Sequence, residues 1–361
     1  MKKEQSMSEI KIIASNKCWI EDIAKKQLED ISNLNGVLKI VGLPDLHAGK
    51  IPVGLAVETS DFIYPHIIGN DIGCGMTLFK IGISKKKFKK ERWIKSLDKI
   101  KDLSDIEISD IYEEECPILN LGTIGSGNHF VEFQCVNEVY NKEEFEQLRL
   151  STDDIMMLVH CGSRNYGETI LNKFYNKNGI EVESDKARAY MESHDKALIW
   201  AERNREAVSK KIMQSIGTSG NIEKILSINH NFIEKRQDKF IHRKGAVSSE
   251  SGAVIIPGSR GSLSYIVMPT ENTEISLYSL SHGAGRKWSR SICKSRLKNK
   301  YNKDNIKQTK FKSHIICNDI NLLFQEAPEA YKNIEQIIES LIEYKLIQVV
   351  ATMKPLITYK G

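Results

Sequence analysis

Apolar side chains recur at spacings of three and four residues in three segments of the chain, and this spacing predicts amphipathic helices. The predicted helices cover residues 20–33, 184–216 and about 334–342. Strands and helices do not alternate regularly, so the pattern favours an α+β fold over a doubly wound parallel sheet. Short apolar runs that end at Gly, Pro, Asp or Asn predict strands at residues 37–41, 53–57, 76–81 and 130–133, and again between about 253 and 280.

The 361 residues show no internal repeat and no Pro- or Ser-rich linker, which predicts one compact domain over residues 1–361, with mixed or antiparallel sheets surrounded by helices. The composition, 40% apolar and 27% charged, excludes a disordered, fibrous or small disulfide-stapled chain. Seven cysteines without a CxxC pair and an N-terminus without an apolar leader predict a location in the reducing cytoplasm. No apolar run approaches the roughly 18 residues of a membrane helix, so no membrane partner is expected.

Positive charge is concentrated in one segment, although the net charge of +5 is too small to indicate a polyanionic partner by itself. Residues 286–312 hold eleven Lys or Arg and one acid, Asp304. A helix predicted within this segment carries Lys294, Arg296 and Lys298, which can follow a nucleic-acid backbone. An ordinary charged helix surface is the alternative interpretation.

Glycine-rich turns at the ends of predicted strands carry the residues with catalytic or metal-binding chemistry. Glycine lets the backbone approach a ligand closely, and loops at strand ends commonly hold functional side chains. The site predicted from the sequence depends on the convergence of these turns in one pocket. Five such turns occur, at residues 69–76, 125–130, 160–164, 257–262 and 281–286.

Five polar residues of these turns and of the region around residue 230 are suited to bind metal. Asp71 and Cys74 are separated by a glycine-containing turn, so a carboxylate and a thiolate can reach the same ion, and imidazoles of His129, His160 and His230 bring the ligand count to five. A closed tetrahedral zinc site uses four ligands, which indicates either an open catalytic metal or two metals that share the thiolate. Taken singly, a histidine at a strand end or a lone cysteine is more often structural.

Two Gly- and Ser-rich turns offer backbone N–H groups, and Arg164, Arg260 and Arg286 add cations, which together indicate sites for phosphate-like anions. His282 lies four residues before Arg286 and just ahead of the basic segment. A nucleophilic imidazole beside such cations and a metal is suited to nucleotidyl transfer, because attack on an α-phosphate requires neutralisation of the developing charge. No Walker A, kinase or dinucleotide-binding motif accompanies these residues.

A series of short motifs follows one another in order from about residue 43 to the C-terminus. These motifs resemble the RtcB family, the GTP-dependent RNA ligases that join a 3′-phosphate or 2′,3′-cyclic phosphate end to a 5′-hydroxyl end. The segment Gly69-Asn70-Asp71 and the opening residues 13–21 resemble the branch coupled to release factor H, which is associated with repair of cleaved ribosomal RNA. The motifs that carry the family resemblance are Pro44-Asp45-Leu46-His47, Asp71-Ile72-Gly73-Cys74-Gly75-Met76, Gly127-Asn128-His129-Phe130, Gly162-Ser163-Arg164, His230-Asn231, His242-Arg243-Lys244-Gly245-Ala246, Pro257-Gly258-Ser259 and His282-Gly283-Ala284-Gly285-Arg286.

The resemblance implies an RtcB-like fold with an active-site cleft, in which His282 is the nucleophile that takes GMP from GTP as a phosphoramidate. GMP then passes to the RNA 3′-phosphate, after opening of any cyclic phosphate, and leaves when the 5′-hydroxyl attacks. Two Mn²⁺ ions, with Cys74 between them, are implied to be held by Asp71, Cys74, His129, His160 and His230. The implied contacts to GTP are Asn128 to a phosphate, Glu132 and Lys360 to guanine, Ser259 and Ser264 to the nucleoside, and Arg164 and Arg286 to the phosphates.

The resemblance also implies the partners, namely RNA with these ends and, for this branch, the ribosome or a release-factor-H-like protein. The chain departs from the family pattern in ways that concern substrate recognition, at Asn70, Cys161, Asn165, Tyr166 and Arg260. Such a ligand set does not by itself distinguish Mn²⁺ from Zn²⁺. Two alternatives remain open: a metal-dependent phosphodiesterase or phosphatase that processes RNA ends without GTP, and a non-catalytic RNA-repair platform. Neither needs a nucleotidylated histidine.

Overall fold

The computed structural model describes residues 8–106, 121–218, 221–302 and 305–361. Asp304, the acid of the basic segment, lies outside these ranges. That residues 1–361 form a single domain stays a prediction.

Helices form where the apolar spacing predicts them. The first helix buries Ala24, Leu28 and Ile31 on one face, at the spacing of a helical stripe. The longest begins after Ser184, whose hydroxyl accepts the Ala187 N–H at 3.1 Å and so caps the first turn. The helices of the described residues are α1 (Asp22–Ser32), α2 (Pro65–Ile68), α3 (Lys90–Leu97), α4 (Lys142–Gln147), α5 (Asn165–Phe174), α6 (Asp185–Ser215), α7 (Arg290–Leu297), α8 (Ile320–Gln325) and α9 (Ile334–Glu343).

Every predicted strand is present, and several strands extend beyond the predictions or lie outside them. The second strand continues past residue 41 to His47, and a further strand occupies Ile347–Tyr359. The strands are β1 (Glu9–Ile12), β2 (Val37–His47), β3 (Val53–Thr59), β4 (Phe62–Ile63), β5 (Gly75–Ser84), β6 (Phe130–Val139), β7 (Asp154–Cys161), β8 (Ile180–Glu181), β9 (Glu223–Asn229), β10 (Asn231–Arg236), β11 (Lys239–Lys244), β12 (Ala246–Ser248), β13 (Val254–Pro257), β14 (Ser264–Pro269), β15 (Ser279–Ser281), β16 (His314–Ile316) and β17 (Ile347–Tyr359).

Two large sheets organise these strands. One sheet has the order β1-β2-β3-β11-β10, with β1 parallel to β2 and the other pairs antiparallel. The larger sheet has the antiparallel order β13-β14-β17-β6-β7-β5-β9, and β16 adds to β17 in parallel. The pairs β12-β15 and β4-β8 are small ribbons. The mixed and largely antiparallel sheets confirm the predicted α+β class.

The larger sheet is covered on both faces, as alternating side chains of β7 illustrate. Met156 and Leu158 join the core shared with the five-stranded sheet, α1 and α9. Met157 and Val159 join a second core that includes residues of α3 and α6. Because successive side chains of a strand point to opposite faces, the central strands are apolar throughout and leave their polar groups at the strand ends. No helix of the described ranges is both long and apolar enough to cross a bilayer.

Candidate active site

A cleft of about 950 Å³ opens at one end of the larger sheet. The five glycine-rich turns of the sequence all contribute to its lining, which confirms that they converge. Ser264 is the one predicted site residue that does not line the cleft. The predicted residues that do are Asp71, Cys74, Asn128, His129, Glu132, His160, Arg164, His230, Ser259, His282, Arg286 and Lys360.

Strand register explains why the five predicted metal ligands meet. His160, near the end of β7, lies opposite the first residues of β5 and β6. Cys74 and His129 immediately precede these two strands, and His230 immediately follows β9, which pairs with β5. Asp71 lies in the turn before β5, where its backbone carbonyl accepts the Cys74 N–H at 3.1 Å. The antiparallel pairing therefore collects ligands that lie far apart along the chain.

The ligand atoms form two groups that share Cys74. The Cys74 Sγ lies 3.3 Å from His129 Nε2 and 3.4 Å from His160 Nε2. The Nε2 atoms of His160 and His230 are 3.3 Å apart, and His129 Nε2 is 3.0 Å from Asp71 Oδ2. Asp71, Cys74 and His129 make one group and Cys74, His160 and His230 the other, each compact enough to hold a metal ion. This arrangement matches the expectation of two sites with one thiolate in common.

A hydrogen bond to the His160 imidazole leaves its Nε2 atom free to bind metal. His160 Nδ1 lies 3.2 Å from the Asn128 carbonyl. Donation of the Nδ1 proton to a carbonyl fixes the tautomer that presents a lone pair at Nε2, which is the usual support of a metal-binding histidine. His129 Nδ1 lies 3.0 Å from the Ile124 carbonyl and also close to the Arg164 guanidinium. The residues present therefore fit a metal centre in ligand type and contact.

The electrostatic environment holds two of the imidazoles, those of His160 and His230, in the neutral form. Burial lowers the pKa of both His160 and His230 well below its ordinary value. Burial likewise raises the pKa of the Cys74 thiol, since its charged form is poorly solvated there. Burial alone would raise the pKa of Asp71, but hydrogen bonding and charge from His129 and the Arg164 N–H bring it below the ordinary value. Metal binding would therefore be coupled to loss of the thiol proton.

His282 stands beside this centre and is held by a buried carboxylate. Asp45 is fully buried, and its Oδ2 accepts hydrogen bonds from His282 Nδ1 at 2.6 Å and from the His282 backbone N–H at 3.2 Å. The His282 ring centroid is 4.8 Å from that of His230. With the Nδ1 proton directed to Asp45, Nε2 keeps its lone pair, which is the state of a nucleophilic imidazole.

The residues predicted to contact guanine lie near each other, Glu132 near the beginning of β6 and Lys360 directly after the end of β17. Glu132 accepts hydrogen bonds from Gln134 Nε2 at 2.7 Å and Thr358 Oγ1 at 2.6 Å, and burial raises its pKa to about 7. The buried Lys360 donates to the His129 carbonyl at 3.2 Å, and burial lowers its pKa. Ser264 is buried behind this pair and accepts a hydrogen bond from Gln134 at 2.9 Å.

The two predicted phosphate-binding arginines differ in their surroundings. The Arg164 backbone, at φ 56°, donates its N–H to Asp71 Oδ1 at 3.0 Å, and Nη1 lies 2.9 Å from His129 Nδ1. Its guanidinium occupies the place that a Cβ would take at Gly125, so glycine is required there. Arg164 thus lies directly against the predicted metal ligands.

The guanidinium of Arg286, in contrast, already donates its hydrogen bonds to protein acceptors. Nη1 contacts Glu326 Oε1 at 3.1 Å, Nη2 donates to the Gln325 carbonyl at 2.8 Å, and Nε donates to the Trp288 carbonyl at 3.1 Å. The guanidinium also stacks over the ring of Tyr331. A phosphate contact by Arg286 would have to compete with these bonds, so that role stays a prediction.

Sequence reasoning did not identify Asp45 as a site residue, although it lies within the motif Pro44-Asp45-Leu46-His47. Its position inside a strand gave no local sign that it faces an imidazole 237 residues away. Glu326, which contacts Arg286 and lies 3.8 Å from Lys360, was also not identified. Arg260 lines the cleft with its Nε and Nη1 buried and without a hydrogen-bond partner in the described residues.

Comparison with known proteins agrees with this geometry. A family model described as tRNA-splicing ligase RtcB matches residues 27–116 and 109–361. RNA-splicing ligase RtcB2 of Escherichia coli (strain ATCC 25922) is 40% identical over 97% of this chain and 95% of that protein. RNA-splicing ligase RtcB of Escherichia coli (strain K12) is 27% identical over 95% of each chain, and tRNA-splicing ligase RtcB of Methanococcus maripaludis is 25% identical over 94% of this chain and 92% of that protein. Since these matches span nearly all of the sequence, the chain belongs to the RtcB family of RNA ligases.

Proposed function

We propose that this chain is a GTP- and Mn²⁺-dependent RNA ligase that joins an RNA 3′-phosphate or 2′,3′-cyclic phosphate end to a 5′-hydroxyl end through a His282–GMP intermediate. The observation that carries the proposal is the pairing of His282 with buried Asp45 beside the two metal-competent groups. That pairing supports an imidazole whose Nε2 is held ready to attack. A hydrolase or a binding platform would not need a nucleotidylated histidine, so labelling of His282 separates these alternatives.

The ligand groups support a two-metal assignment. Asp71, Cys74 and His129 would hold one Mn²⁺, and Cys74, His160 and His230 the other. When bound, the ions would neutralise charge on the reacting phosphate. The choice of manganese over zinc follows the family, because the donor set suits both ions.

The guanine contacts follow from hydrogen-bond complementarity. The Glu132 carboxyl keeps lone pairs beyond those used by Gln134 and Thr358, so it can accept from the guanine N1–H and N2–H groups. Lys360 can donate to guanine O6. Ser264 would act indirectly, because the Gln134 amide that it binds also binds Glu132.

The remaining predicted GTP contacts involve the sugar and the phosphates. Ser259, in the turn after β13, lines the cleft and would contact the nucleoside. Asn128 and Arg164 lie next to the metal ligands His129 and His160 and would bind phosphate oxygens there. Arg286 is proposed for the same role, on the condition that it leaves part of its present hydrogen-bond set.

The proposed reaction has two GMP transfers and a ligation step after any cyclic phosphate has been hydrolysed. His282 Nε2 forms a bond to the α-phosphorus of GTP, and pyrophosphate leaves. An oxygen of the RNA 3′-phosphate then displaces His282 from that phosphorus. Attack of the 5′-hydroxyl on the activated 3′-phosphate forms the new phosphodiester and releases GMP. Asp45 orients the ring and stabilises its charged form during the first two steps.

The proposal is tested by incubation with GTP labelled at its α-phosphate and Mn²⁺. We expect an acid-labile, hydroxylamine-sensitive label on the wild-type protein and none on His282→Ala. His314→Ala is the matched control, because His314 lies on β16 outside the cleft, and it should be labelled like the wild type. Label retained by His282→Ala, or absent from a folded wild-type protein, would remove the GMP-transfer mechanism.

The natural RNA and its setting are also part of the proposal. RNA is the substrate class that the names of the relatives carry. The ribosome or a release-factor-H-like protein as partner, and a cytoplasmic location, follow from the branch that the sequence resembles. Ligation assays on nicked tRNA and on ribosomes with cleaved small-subunit RNA separate these substrates.

A further inference from the structure

Arg205 of α6 is fully buried, and every N–H of its guanidinium has an acceptor. An arginine side chain carries five such donors in a planar fork. Nε donates to an oxygen of β5, and the two terminal nitrogens donate to two oxygens each. The acceptors are Thr77 Oγ1 at 2.8 Å from Nε, the Gly73 and Cys161 carbonyls at 3.0 and 3.1 Å from Nη1, and Asn229 Oδ1 and Ser227 Oγ at 2.9 and 3.4 Å from Nη2.

Three of these acceptors are immediate chain neighbours of one metal-competent group. Gly73 precedes Cys74, Cys161 follows His160, and Asn229 precedes His230. A single rigid side chain is therefore bonded one residue away from each of the three ligands. The three segments belong to β5, β7 and β9 and their adjoining turns.

The preceding residue, Asn204, makes the equivalent bonds toward the other group. Its Oδ1 accepts the Gly122 and Thr123 N–H groups at 2.7 and 3.1 Å, and its Nδ2 donates to the Thr123 carbonyl at 2.9 Å. The next carbonyl along this segment, that of Ile124, lies 3.0 Å from His129 Nδ1. Adjacent residues of α6 are thus tied to the supports of both ligand groups.

We propose that Arg205 is a positioning residue of the metal centre, whose guanidinium fixes the relative places of Cys74, His160 and His230 through the backbone and side-chain atoms next to them. Asn204 supports His129 in the same way. The inference rests on the proposed metal-dependent function, because it assigns a role toward the ligands of that centre.

The chemistry of the contacts favours positioning over simple packing. All five acceptors are uncharged, so Arg205 places a buried cation among neutral groups, which costs more free energy than an apolar side chain of similar volume. Five directional bonds from one planar group constrain three strands in a way that an apolar contact does not. Residues that support metal ligands typically change metal affinity about 10- to 100-fold when replaced.

The test is a titration of the protein with Co²⁺ alone. Binding is monitored by the thiolate-to-cobalt charge-transfer absorption. Arg205→Lys keeps the charge but offers three donors from one point, so it cannot reach all five acceptors. We expect it to fold, to bind Co²⁺ about 10- to 100-fold more weakly and to show an altered absorption band. Arg243→Lys is the matched control, because Arg243 is equally buried but bonds Glu234, Ser279 and the Tyr278 carbonyl, away from the ligands. It should lose stability without a change in Co²⁺ affinity.

A milder pair of variants tests the positioning role if Arg205→Lys does not fold. Asn229→Ala removes the acceptor next to His230 and should weaken Co²⁺ binding several-fold, whereas Ser227→Ala, two residues farther from the ligand, should not. Wild-type affinity and absorption in a folded Arg205→Lys, or in Asn229→Ala where Arg205→Lys does not fold, would overturn the positioning role alone. No charge-transfer band in the wild type would overturn the metal-dependent function, and this inference with it.

Discussion

Replacement of Asp45 by Asn tests how His282 is prepared for attack. The substitution keeps an oxygen that can accept the two hydrogen bonds from His282, at 2.6 and 3.2 Å, but removes the carboxylate charge. A hydrogen bond to a charged group contributes about 1.5–3 kcal/mol and a neutral one about 0.5–1.5 kcal/mol. The difference, roughly 1–1.5 kcal/mol, corresponds to about a tenfold slower GMP transfer. If the amide NH₂ faces Nδ1 instead, the proton moves to Nε2, and the loss approaches the roughly 10⁴-fold effect of the same change in a catalytic triad.

The assay is the single-turnover rate of label transfer from α-labelled GTP to Asp45→Asn at saturating GTP and Mn²⁺. We expect a rate between about tenfold and about 10⁴-fold below that of the wild type. The GTP concentration at half-maximal rate should be unchanged, because Asp45 does not line the cleft. Asp22→Asn, on the exposed face of α1, is the control and should behave as wild type. A folded Asp45→Asn that is labelled at the wild-type rate would refute the proposed pairing.

Three further predictions concern other parts of the molecule. Cys74→Ser removes the thiol common to both ligand groups, so metal analysis should find less bound metal and labelling by GTP should be lost. A Cys74→Ser protein with the full wild-type metal content would contradict a shared thiolate. Glu132→Gln should flatten the pH dependence of the free energy of unfolding. Burial raises the pKa of Glu132 from 4.5 to about 7 in the folded protein, so between these two pH values the folded wild type binds more protons than the unfolded chain. The free energy of unfolding of the wild type should therefore fall by up to about 3 kcal/mol as the pH rises from 4.5 to about 7. Urea unfolding at about pH 5 and about pH 8 measures this, and equal pH dependence in both proteins would contradict it. Neutralising Lys294, Arg296 and Lys298 together should lower the salt-dependence slope of RNA binding by roughly 2–3 while GTP labelling persists, and an unchanged slope would make this helix an ordinary charged surface.

Local patterns were sufficient for the helices α1, α6 and α9 and for the strands β2, β3, β5 and β6, because their buried faces follow a simple period. The predicted end of β2 at residue 41 was too early: the strand continues through Pro44, with a break in its register to β3 between Gly42 and His47. The strand β17 was not predicted from the sequence. Its pairing with β6 is interrupted near Met353 and Pro355, and its apolar residues do not alternate with polar ones because both faces are covered.

The predicted metal ligands were recognisable because a carboxylate, a thiol and imidazoles are uncommon together in glycine-rich turns. Asp45 and Arg205 carry no comparable local signal. Each lies within a regular element, and its importance depends on partners 237 and up to 132 residues away. The hydrogen-bond set of Arg286 could not be predicted either, because it depends on how the segment around Glu326 packs against the cleft.

The wide spacing of Asp71, Cys74, His129, His160 and His230 has a consequence for the lifetime of the protein. Only the paired strands hold these donors together, so the unfolded chain cannot offer the complete set, and metal bound to the folded form adds to its stability. At a free metal concentration one hundred times the dissociation constant, the gain is about 2.7 kcal/mol. Under the proposed metal dependence, a shortage of the ion would therefore leave more of the protein unfolded and open to proteolysis, besides slowing ligation.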